Sequence, residues 1–136
     1  MSKAGEKIVA IRELDERVGD YSSIAGFAVT TTKQTIKLYI SNDSSCCESW
    51  GYFWCNDKPQ DFVGAMLRSV SITDTALNTK MIEENGADSR DAGGIMFVNL
   101  DTSKGVLQFV AYNSHNGYYG HTATVESEQL QHEECL

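Results

Sequence analysis

Between Thr35 and Ser41 apolar and polar positions alternate strictly. Ile36, Leu38 and Ile40 fall on one side, Lys37 and Tyr39 on the other. Alternation of period two is the mark of a strand with one buried face. The preceding run, residues 21–32, is rich in β-branched residues and broken only at Gly26. It reads as a second strand, and the Thr-Thr-Lys-Gln-Thr step between the two predicts a hairpin turn. Residues 65–73 alternate again, with Met66, Arg68, Val70 and Ile72 set against Leu67, Ser69 and Ser71. Residues 95–100 and 106–114 are the strongest strand runs, and the Asp101-Thr102-Ser103-Lys104-Gly105 link ends on the glycine a hairpin loop favours. The segment from Trp50 to Cys55 is aromatic and strand-like. The Asn116-Gly117 step predicts a last hairpin, with residues 120–126 as its returning strand.

One segment has a different period. In residues 8–18, IVAIRELDERV, Ile8, Ile11, Leu14 and Val18 recur at helical spacing, and Gly19 is a plausible stop. A short N-terminal helix is predicted here. Residues 42–45 form a polar loop, and Asp61-Phe62-Val63-Gly64 has room for one helical turn. Residues 77–93, LNTKMIEENGADSRDAG, read as an exposed irregular excursion. Residues 129–136 read as a frayed acidic tail. The predicted fold class is α+β, mainly antiparallel β-sheet of six or seven strands in a meander, with the short N-terminal helix capping one face. A single globular domain is expected over residues 1–128, with the acidic C-terminal tail, 129–136, beyond it.

Composition narrows the function more than the fold. The chain has 136 residues, with 41% hydrophobic and 22% charged, values typical of a folded domain. Eleven Lys and Arg face 19 Asp and Glu, for a net charge of −8. Phosphate backbones are held mainly by Lys and Arg, so direct nucleic-acid binding is not expected. A partner with a basic surface would be attracted and steered, although acidity also serves solubility alone. The charge is uneven. No Lys or Arg follows Lys104, whereas Glu126, Glu128, Glu133 and Glu134 do. No apolar run is long enough to span a bilayer, and the polar N-terminus lacks a signal-peptide pattern, so no membrane association and a cytoplasmic location are expected.

Two clusters carry a family resemblance. The first is Ser45-Cys46-Cys47-Glu48; the second is His115-Asn116-Gly117-Tyr118-Tyr119-Gly120. Over roughly residues 20 to 126 the chain resembles DUF7448, a family of small uncharacterised proteins, mostly of phages and prophages. Its pattern has an Asp-Cys-Cys-Glu step after an early strand and a Ser-Asn-Gly-Tyr-Tyr-Ser step in the last hairpin. Here Ser45 stands in place of the acid. The excursion at 77–93 and the tail lie outside the resemblance. What it implies is a phage or mobile-element origin; it implies no activity.

The clusters also bear on chemistry. Zinc sites need paired ligands from one turn, whereas Cys46 and Cys47 are adjacent and in a strand would point to opposite faces. Cys55 and Cys135 supply no second pair, so no metal is expected, and no cofactor either: there is no phosphate loop or dinucleotide glycine fingerprint. Adjacent cysteines in a reducing cytoplasm read as packing residues rather than a disulfide. A nucleophilic Cys47 served by His115 or His121 is the catalytic alternative. Without a recognisable acid–base pair, the expectation is a binding protein and not an enzyme. Candidate binding residues are Cys47, Glu48, Trp50, Tyr52 and Trp54 on the aromatic strand, and Tyr112, His115, Asn116, Tyr118, Tyr119 and His121 around the Asn-Gly turn. Aromatic faces with hydrogen-bonding edges can stack a base or clasp a peptide, or simply pack a turn.

The expected function is a phage-encoded inhibitor of a host defence system, an anti-CRISPR protein acting on a basic surface of a Cas nuclease. The alternatives are a sponge for a cyclic-nucleotide immune signal (of the anti-CBASS or anti-Thoeris kind), with Arg68 or Arg90 on the phosphates, and a phage accessory protein of other purpose. An exposed aromatic face would also allow a homodimer.

Overall fold

In a computed structural model of the chain the described residues are 6–17, 23–41, 50–56, 58–73, 75, 77, 80, 94–113, 122–128 and 130–135. They form nine strands: β1 (Glu6–Arg17), β2 (Ser23–Thr31), β3 (Thr35–Ser41), β4 (Trp50–Trp54), β5 (Met66–Thr73), β6 (Gly94–Thr102), β7 (Gly105–Asn113), β8 (Thr122–Glu126) and β9 (Gln131–Cys135). Every pairing is antiparallel, in the order β4-β7-β6-β5-β1-β2-β3-β8-β9. The sheet folds over on itself about β1, which pairs with β5 through Glu6 and Lys7 and with β2 from Ile8 onward. One core lies between the two halves. It unites Ile8, Ile11, Val29, Ile36, Leu38 and Ile40 with Trp54, Leu67, Met96, Val98, Leu100, Leu107 and Phe109.

The predicted N-terminal helix is therefore a strand, and the fold is nearly all β instead of α+β. The reason lies in a β-bulge. Ile8 opposes Thr31 and Ala10 opposes Thr30, so Val9 is an extra residue in β1. The bulge brings Ile8 and Ile11 onto the same, core-facing side three residues apart, which imitates a helical period. Leu14 is buried on the opposite face, opposite Gly26. The third member of the pattern thus belongs to a different surface; Val18 lies outside the described residues.

Two hairpins stand as expected, β2–β3 and β6–β7. Thr31 organises the first turn: its Oγ1 accepts from the N–H groups of Lys33 and Gln34 at 3.1 and 3.0 Å. Thr102 does the same in the second, accepting from the N–H of Lys104 at 3.1 Å and donating to the carbonyl of Gly105 at 2.7 Å; Gly105 has φ +116°. The break at Gly26 is also explained. A Cβ there would stand 1.9 Å from the Leu38 carbonyl oxygen, so only glycine lets β2 and β3 approach this closely.

Three further expectations are corrected. The strand after the Asn-Gly step does not return along β7. β7 pairs with β6 and β4, whereas β8 pairs with β3 and β9, so β7 and β8 lie in different halves of the sheet. The tail at 129–136 contains β9, hydrogen-bonded along β8. The helical turn expected at Asp61–Gly64 starts two residues earlier, as a 3₁₀ turn, Pro59–Phe62, beginning on the proline whose fixed φ suits a helix start.

Candidate functional site

β4 and β7 are buried on both faces. Tyr52 and Trp54 point inward; Trp54 is 5% exposed, with its ring centroid 4.8 Å from that of Phe27 and 5.9 Å from that of Phe109. Its indole N–H has no hydrogen-bond partner among the described residues. Phe53, Cys55, Val110 and Phe97 form a second apolar cluster on the outer face, with Ile95 and Tyr112 against it. Trp54 is thus a core residue and offers no binding surface. Tyr52 is half-buried: its hydroxyl donates to the exposed Glu13 Oε2 at 2.6 Å and joins β4 to β1 on the solvent side of the core. Burial first, and then this carboxylate, raise the Tyr52 hydroxyl's pKa. Tyr112 sits on the other side of the sheet, edge-on to Phe53, with its pKa raised by burial. Tyr52 and Tyr112, both predicted binding residues, therefore do not share a site.

Of the other predicted site residues, Cys47, Glu48, His115, Asn116, Tyr118, Tyr119 and His121 lie outside the described residues, and Trp50 is placed only as the first residue of β4. The topology does bring the ends of their segments together. Residues 42–49 run from Ser41 to Trp50, and residues 114–121 from Asn113 to Thr122. Trp50 pairs with Asn113. The N–H of Thr122 donates to Ser41 Oγ at 2.9 Å. The described residues that flank the two segments are thus neighbours.

Sequence reasoning missed the face formed by β3, β8 and β9. Its outward residues make two cross-strand rows, Lys37–Glu126–Gln131 and Tyr39–Thr124–Glu133. The hydroxyl of Tyr39 donates to Glu126 on the diagonal. Burial, reinforced by that hydrogen bond, pushes the Tyr39 pKa up to about 12. A shallow groove runs between Tyr39, Glu126, Gln131 and Glu133. The absence of Lys and Arg after residue 104 was legible in the sequence, and it leaves β8 and β9 without a basic residue other than His132; what the sequence did not show is that these residues pair into one face with β3. On the other side of β9, His132 Nε2 lies 3.3 Å from Glu134 Oε2. Among the described residues no three His, Cys, Asp or Glu side chains are grouped as a metal would require, and no helix is long and apolar enough to cross a membrane.

The family model described as a domain of unknown function, DUF7448, matches residues 4–125. The chain belongs to the DUF7448 family. The DUF7448 match is longer than the motifs suggested: it begins at the start of β1, takes in residues 77–93 and reaches into β8. β9 lies beyond it. No curated protein and no solved structure matches the chain.

Proposed function

We propose that this DUF7448 protein is a binding protein that docks on a basic surface of a partner protein through the outer face of β3, β8 and β9. The observation that carries the reading is the composition of that face: Glu126 and Glu133, with Tyr39 between them, and Lys37 as its one cation among the described residues. Carboxylates on a pleated sheet are held at fixed spacing, and a tyrosine bonded to one of them supplies a rigid amphipathic contact. The chain's net charge of −8 adds long-range steering toward a basic partner. The phage setting implied by the motif resemblance makes a host defence protein the favoured partner, with the basic nucleic-acid channel of a Cas nuclease as its leading example.

Purified protein should bind such an effector and inhibit its nuclease activity, with affinity falling as salt rises. Glu126→Lys with Glu133→Lys should weaken binding about tenfold or more without unfolding the protein. Unchanged binding by the double variant would remove this face from the interaction. Absence of any salt-sensitive interaction across a panel of purified effectors would remove the partner class.

A further inference from the structure

Among the described residues, one cleft is lined by two lysines and a single carboxylate, although the chain as a whole is acidic. It lies where the 3₁₀ turn meets the β6–β7 hairpin, has a volume of about 390 Å³, and is lined by Asn56, Lys58, Asp61, Phe62 and Lys104. Two lysines distant in sequence converge on it, whereas the dents beside β8 are lined by Glu126 with Glu128 or Glu133. Both lysines are exposed, so their charges cost little to hold there.

The cleft's walls are fixed. Lys104 Nζ donates to the main-chain oxygen of Asp61 at 3.0 Å, which holds the ammonium group against the 3₁₀ turn. Asn56 Nδ2 donates to the Val106 carbonyl at 2.9 Å, and Asn56 Oδ1 accepts from the Gln108 N–H at 3.0 Å. These bonds tie the residue after Cys55 to β7. Phe62, half-buried against the core, gives an aromatic side. The exposed Asp61 carboxylate stands at the same cleft. It would repel a long polyanion, but can accept a hydrogen bond from a ligand hydroxyl or amine. Two ammonium groups, an aromatic ring and one carboxylate make a set of complementary contacts in a space of small-molecule size.

We infer that this cleft binds a small phosphorylated ligand of the nucleotide class, its phosphate at Lys58 and Lys104 and its base or sugar toward Phe62 and Asp61. The site is separate from the acidic face and does not rest on the docking reading.

Titration of ¹⁵N-labelled protein with ADP, with adenosine and with inorganic phosphate tests it. ADP should shift the amides of Asn56, Phe62, Gly64 and Lys104 saturably, and bind about tenfold or more tighter than either adenosine or inorganic phosphate. Lys58→Glu with Lys104→Glu, both exposed, should fold normally and lose the ADP response. Lys7→Glu with Lys33→Glu should keep it, as should Glu126→Lys with Glu133→Lys, so this site can fail without touching the docking face. No shift with ADP, equal shifts in the Lys58/Lys104 variant, or a response spread equally over Lys7 and Lys33 would overturn the site. Equal affinity for inorganic phosphate and ADP would overturn the nucleotide class.

Discussion

On β7, Phe109 and Val110 point to opposite faces and neither is exposed at all; on β3, Leu38 is fully buried while its neighbours Lys37 and Tyr39 reach solvent. The contrast extends across the two halves of the sheet. The β6–β7–β4 half is covered on both faces, by the inter-sheet core on one side and on the other by the Phe53–Phe97–Val110 cluster and the buried Gln108 with its bond to Asn99. The β3–β8–β9 half is apolar only inward. A strand buried on both faces contributes stability and has no side chains left for recognition. A strand buried on one face can change its other face without changing the core. The difference therefore places the capacity to evolve a partner on the alternating half, even though the aromatic half looks richer in binding residues.

Substitutions that treat the halves alike should expose this difference. Phe109→Ala, in the core that both halves share, should cost about 3–5 kcal/mol in urea unfolding. Val110→Thr keeps the shape but puts a hydroxyl into the outer apolar cluster; a loss of about 1–3 kcal/mol is expected. If Val110→Thr were neutral, the outer face of β7 would not be a true interior. On the alternating half, Tyr39→Phe should act through pH. The Tyr39 pKa is raised in the folded state from 10.0 to about 12. The folded protein therefore holds that proton more tightly. The associated stability is fully present below pH 10 and is lost as pH rises toward 12. Stability of the variant, followed by circular dichroism, should fall less steeply over that window. Gln131→Ala, exposed on β9, should change stability by no more than about 0.5 kcal/mol.

Much of this contrast was legible in the sequence. The run Ile95-Met96-Phe97-Val98 and the aromatic run from Trp50 were legible as strands, but the aromatic pattern allows one exposed face, whereas Phe53 and Trp54, on opposite faces, are both buried. The alternation at Ile36, Leu38 and Ile40 correctly gave one buried face. What escaped had physical causes. β9, Gln-His-Glu-Glu-Cys, has no apolar period because it is an edge strand whose pairing rests on main-chain hydrogen bonds. β8 followed an Asn-Gly step that suggests a local turn, yet its partner is β3, and such long-range pairing leaves no local trace. Which of Tyr52 and Phe53 faces inward could not be told from alternation alone. The Tyr52–Glu13 bond and the approach of Lys58 to Lys104 depend on how the sheet folds over, which no spacing encodes. The residues that flank the two motif segments do meet, at Trp50–Asn113 and Ser41–Thr122, a closeness set by long-range strand pairing and not by the motifs themselves.

The bulge at Val9 gives β1 something like a reading frame. Removing any one residue between Ala10 and Arg17 would shift part of the strand by one position relative to β2 and turn its side chains to the wrong faces. Val9 is different: it is 46% exposed and is the extra residue between Ile8 and Ala10. With it gone, Ile8, Ala10 and Ile11 would simply alternate in, out and in. This is the one place in the strand where chain length can change without changing which residues form the core.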